Sequence, residues 1–135
     1  MIDVCLVPEN TPVTAKGDSE PLDVSSASNP VFLATLTITR IVEQESIEVS
    51  FLTSAEGTTW EAKPVAALPQ KFYVGEYPLL VDLSQATNAT FLRAHWEVNR
   101  WGRGPATPSF EIGLRVREIP AELLQEARAE ATARV

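Results

Sequence analysis

The residues best suited to chemistry are arginines, gathered around one aromatic turn. Arg93, Arg100 and Arg103 fall within residues 90–104 (TFLRAHWEVNRWGRG), with Arg40 and Arg115 as further cations, in a 135-residue chain of net charge −7. A guanidinium group forks onto carboxylates and stacks on aromatic faces, and Trp101 stands beside Arg100 in the turn. Two readings follow. The arginines pair across strands with Glu97, Glu111 or Glu48, or they and Trp101 anchor an inter-subunit contact, where Arg and Trp are effective. Tyr73 and Tyr77, with Trp60, Trp96 and Trp101, also offer aromatic surface for stacking sugar rings.

Little else is arranged for catalysis. His95 is the sole histidine, and no second histidine or cysteine is spaced to share a metal with it. The acidic residues follow no calcium-loop pattern, and the hydroxyl residues no GxSxG elbow. Gly102 and Gly104 precede no helix start, so they do not make a phosphate loop. The expectation is a non-enzymatic protein with no catalytic, cofactor or metal residues. Cys5, the only cysteine, reads as a small strand residue.

Composition narrows the partners. An acidic balance argues against general nucleic-acid binding, and no apolar run approaches the roughly 20 residues that span a bilayer. The opening MIDVCLVPEN lacks a basic segment ahead of a long apolar one, so no signal peptide is visible. These features lead to an expected setting in the cytoplasm or in a virion-like particle. The expected partner is another copy of the chain, with a glycan as the alternative.

Strand periodicity places these residues. Phe91, Arg93, His95, Glu97 and Asn99 alternate with Leu92, Ala94, Trp96 and Val98, so one face of this strand is apolar and the other polar. Residues 2–7 form a first short strand closed by Pro8, and residues 9–30 a long arm with a brief edge segment at 21–24. Residues 31–39 (VFLATLTIT) read as a central strand, rich in β-branched residues. Residues 47–53 follow, then a turn at 54–59 in which Gly57 is able to take a positive φ. Further strands are expected to begin at Trp60 and to cover residues 71–74 and 79–83, and the last alternates through Phe110, Ile112, Leu114 and Val116. The expected core joins Ile47, Val49, Phe51 and Trp60 to Leu92, Trp96, Val98 and that last set.

Only residues 120–135 (PAELLQEARAEATARV) change period, with proline at a helix start and a modest apolar stripe. The expected fold is an all-β antiparallel sandwich or jelly roll of seven or eight strands with a C-terminal helix. Its parts are a strand and arm (1–30), the sandwich (31–119) and the helix (120–135).

Residues 47–60 (IEVSFLTSAEGTTW) resemble the strand-then-S-x-D/E-G-x-x-W signature of small β-sandwich modules, with Glu56 where Asp is more usual. Such modules occur among phage virion proteins, as Ig-like or jelly-roll tail and capsid-decoration domains, and among discoidin-like carbohydrate-binding modules. In both, a later strand carries an arginine before alternating apolar residues, as residues 92–96 do here. The similarity spans residues 31–118. The chain also resembles uncharacterised bacterial proteins sharing the PQKFYVGEYPL…RWGRG run. The resemblance implies self-assembly through the sandwich, arm and helix, or, in the second group, glycan binding.

Overall fold

In the computed structural model, residues 2–41, 45–101 and 109–123 are described. They form nine strands: β1 (Asp3–Val13), β2 (Gly17–Asp18), β3 (Leu22–Asp23), β4 (Val31–Ile41), β5 (Glu45–Ser54), β6 (Ala66–Lys71), β7 (Gly75–Asp82), β8 (Phe91–Arg100) and β9 (Phe110–Glu118). All pairings are antiparallel. One sheet has the order β1-β9-β4-β7, the other β2-β8-β5-β6 with β3 also on β8.

Alternation along the strands builds the core. Phe32, Ala34, Leu36 and Ile38 of β4 and Phe110, Ile112, Leu114 and Val116 of β9 point inward from the first sheet. Ile47, Val49 and Phe51 of β5 with Leu92 and Ala94 of β8 meet them from the second. The two inner faces exclude water from each other, which makes the sandwich the only arrangement in which both sheets bury their apolar sides.

Several expectations require correction. β1 does not stop at Pro8; it continues along β9 to Val13, with register shifts between Cys5 and Val7 and between Val7 and Thr11. The tally is nine strands because residues 17–18 and 22–23 each make a two-residue pairing on β8. Much of the stretch expected as an arm is thus held by the chain's own sheets. Trp60 starts no strand and leaves the core: it sits in the long β5–β6 connection, half-buried. Trp96 and Val98 are only partly buried against the core, because β8 runs beyond the deepest layer. Residues 72–74 form a turn, not a strand. Where a helix was expected to begin, Pro120 leads into one 3-10 turn, Ala121–Leu123; the remainder of that expectation, residues 124–135, lies outside the described residues.

Proline guards the sheet edges. β1 carries Pro8 and Pro12, β7 carries Pro78, β6 carries Pro69, and Pro21 separates β2 from β3. Proline offers no N–H to an incoming strand, so edge-to-edge pairing with a neighbour is disfavoured.

Candidate functional site

Strand β8 divides the sequence-derived candidates between two places. Arg93 and Arg100 are seven residues apart, about 23 Å at the rise of an extended strand. They serve different neighbourhoods.

Arg93 belongs to the outer face of the second sheet. Its guanidinium lies over the Trp60 ring, 4.4 Å from the centroid, and its Nε is 3.6 Å from Asp18 Oδ1. That Nε is buried without a hydrogen bond, so the stacking and the nearby charge hold it in place. His95, two residues on, points the same way. Its Nδ1 is 2.8 Å from Asp18 Oδ1 and its Nε2 3.0 Å from Glu97 Oε1. A neutral imidazole has only one N–H to give, whereas the protonated ring can donate to both carboxylates. Partial burial pushes the pKa of His95 down, but the hydrogen bonds and charges of Glu97 and Asp18 outweigh it, leaving the pKa raised above the ordinary 6.5. The group fastens β2 to β8, helped by a bond from Ala94 N to Ser19 Oγ (2.9 Å) and one from Trp96 Nε1 to Ala15 O (3.2 Å). Gly17 packs closely on Trp96: a Cβ there would lie 3.1 Å from Trp96 Nε1, so the ring would have to give by a few tenths of an ångström.

Arg100 belongs to one end of the sandwich, where β8 finishes and the β6–β7 turn protrudes. Phe72, Tyr73, Val74 and Trp101 are exposed there, Tyr73 at 76% and Val74 at 59%. Phe72 meets Trp101 edge-on at 6.0 Å between centroids and Tyr73 at 6.5 Å. Tyr77 donates from its hydroxyl to Tyr73 O at 2.6 Å, and Lys71 Nζ lies 4.7 Å over the Tyr77 ring. The turn is therefore braced from within while its apolar side chains face outward. Arg100 is itself engaged within the chain. Arg103 lies outside the described residues.

Of the sequence-derived candidates, the structure gathers Tyr73, Tyr77, Arg100 and Trp101 at this tip and sets Arg93 apart. Phe72 and Val74 were missed, although three consecutive apolar residues before a glycine cannot all face a core from one strand. Asp18 was missed because a two-residue pairing carries no periodic signal.

Two further arginines are paired: Arg40 with Glu111 at 3.7 Å, and Arg115 with Asp3 through two bonds of 2.8 and 2.6 Å. Cys5 is exposed on β1. Among the described residues, no group of three His, Cys, Asp or Glu is placed to hold a metal ion, and no helix is long and apolar enough to cross a membrane.

At the opposite end, Glu118 is buried and accepts hydrogen bonds from Ile2 N (3.1 Å), Ser28 N (3.0 Å), Asn29 N (3.1 Å) and Asn29 Nδ2 (2.8 Å). The Ile2 bond first, opposed by desolvation and aided by Asn29 and Ser28, holds its carboxyl below the ordinary range. Beside it, residues from the 24–32 and 83–89 segments line an open hollow of about 420 Å³.

No family model and no curated protein matches the chain. Its fold is similar to that of a chain in the structure of infectious bursal disease virus Gx strain, with a TM-score of 0.55 and 9% identity, over 85% of this chain and 30% of that one. A chain in the structure of the Gt strain aligns with a TM-score of 0.40 and 12% identity, over 85% of this chain and 29% of that one. The chain thus spans less than a third of the length of these virus chains, and the first likeness concerns the fold alone.

Proposed function

We propose that this is a non-enzymatic structural protein that associates with copies of itself, in a virion-like or other homo-oligomeric assembly. The observation that carries this reading is the aromatic tip, where Phe72, Tyr73, Val74 and Trp101 stay exposed while the turn beneath them is internally braced. Exposed apolar clusters of this kind mark binding surfaces, and rigid aromatics lose little entropy when they become buried. Edge strands guarded by proline leave such a patch as the favoured route to association. The likeness of fold to a chain in a virus structure supports the same reading. No catalytic role is assigned to any residue.

Size-exclusion chromatography with light scattering, over a wide concentration range, tests it. Concentration-dependent association, reduced by Trp101→Ser in a folded protein, is the expected result; a monomer at every concentration would overturn the proposal.

A second reading rests on Tyr73 and Trp101 as stacking surfaces for a sugar ring. Glycan-array binding that Trp101→Ala removes without unfolding a monomeric protein would favour it instead.

A further inference from the structure

The β4–β7 ladder joins two features that fit each other. At one end of it Ile38 pairs with Gly75, beside the exposed aromatic turn; at the other, Val31 pairs with Asp82, beside the 420 Å³ hollow. The pairs are seven residues apart, about 23 Å along the strands. An outward-pointing apolar knob and an open hollow of mixed apolar and hydroxyl lining therefore occupy opposite ends of one sandwich.

We propose that copies of this chain associate head to tail, the knob of one (Phe72, Tyr73, Val74 and Trp101) entering the hollow of the next. The inference rests on the self-assembly reading and specifies its geometry. Val24, Ala27, Pro30, Phe32, Leu83 and Ala86 give the hollow its apolar lining, and Ser28, Ser84 and Thr87 supply hydroxyls for the Tyr73 phenol. Charge agrees with the pairing. The residue that leads into the knob is Lys71, whereas the one that leads into the hollow's Val24 is Asp23, and no basic residue lines the hollow. The acid of the knob's turn, Glu76, lines a separate groove on the outer face of the first sheet. A second copy is thus an occupant of matching chemistry, and the opposite charges set which end meets which. A contact between two different surfaces of the same chain is heterologous: it propagates into an open filament or closes into a ring, and does not end at a two-fold dimer.

The test uses variants of each end in the full chain. Tyr73→Glu alters the knob, and Thr87→Trp fills the hollow; both positions are exposed, so the core is untouched. Ser84→Lys, also exposed, alters the hollow by charge should the tryptophan perturb folding, and melting curves check each protein. Each variant alone is expected to weaken association at least about 30-fold, the effect of a central contact residue. Mixed one to one, the two should form a dimer that grows no further, because one intact knob then meets one intact hollow. A hollow variant that associates like the wild type, or a mixture that stays monomeric, overturns the head-to-tail contact while leaving self-assembly standing. A monomeric wild type overturns both.

Discussion

Trp60 with Arg93, and Phe72 with Trp101, use the same kinds of side chain to opposite ends. On the outer face of the second sheet, Arg93 covers the Trp60 ring and Asp18 lies near the guanidinium, while His95 joins Asp18 to Glu97. The Trp60 ring, the Arg93 charge and the imidazole each face a counterpart within the chain, although Arg93 Nε makes no hydrogen bond. At the tip the polar groups are also matched internally, Tyr77 with Tyr73 and Lys71 with the Tyr77 ring, yet Phe72, Tyr73, Val74 and Trp101 stay exposed among the described residues. A residue type that suggests binding does so only where the fold leaves its apolar area uncovered. By that criterion Arg93 is structural, and the tip is the interface candidate.

Glu118 accepts four hydrogen bonds from within the chain, and it should give the largest effect. Glu118→Ala removes the acceptor for four donors, on Ile2, Ser28 and Asn29. Leaving these part-buried donors unpaired together costs about 3 kcal/mol, and thermal unfolding should report a melting temperature lower by on the order of 10 °C. Because the folded carboxyl titrates below 4.5, this contribution is present above that pH and lost as pH falls through the folded value. A variant as stable as the wild type would show that these contacts do not hold the N-terminal strand in place.

The tip should behave in the opposite way. Trp101→Ser is expected to leave the melting temperature of the monomer within the roughly 0.5 kcal/mol range of surface substitutions, yet weaken association by about 2 kcal/mol, as an exposed anchor would. Sedimentation velocity at several concentrations reads the second quantity and calorimetry the first. Unfolding without a change in association would move Trp101 into the structural class with Arg93.

Strands were easier to read than partners. The period-two runs of β4, β5, β8 and β9 were legible because each buries one face, and burial is what alternation encodes. Gly57 was legible too: it takes φ 85° in the turn that Ser54 closes by accepting from Gly57 N at 2.8 Å. Trp60 was misplaced because size and hydrophobicity do not separate a core tryptophan from one roofed by an arginine; that difference depends on Arg93, thirty-three positions away. β2 and β3 were invisible as strands since two residues carry no period. Tyr73, Tyr77 and Trp101 were named separately, but only the β6–β7 turn brings them together, and a contact between distant segments has no local signature.

Arg93→Ala sharpens the contrast at smaller scale. It uncovers Trp60 and removes a cation near Asp18, which should cost about 1 kcal/mol for a partly desolvated stack. Association should not change. Arg93→Lys keeps the charge but loses the planar face, so it should recover only part of the loss. Full recovery would show that charge near Asp18, and not stacking on Trp60, is what the position supplies.

The smallest effect is the pH response of His95, and it separates the two regions most finely. Its ring is fully provided with acceptors only when protonated, with Asp18 on Nδ1 and Glu97 on Nε2. Since the folded pKa lies above 6.5, the stabilisation is complete below that value and disappears as pH rises through the folded one. His95→Gln cannot imitate it, because one amide group cannot donate toward both carboxylates from the two ring positions. Melting temperatures of the wild type and His95→Gln, compared from about pH 5 to about pH 9, should therefore differ most at the acid end and converge at the alkaline end. Association should be flat over the same range, because His95 is remote from the tip. A difference that grows with pH would mean that the neutral imidazole is the bonded form. Association that followed the His95 titration would mean that the outer face of the second sheet, and not the tip alone, meets the neighbouring copy.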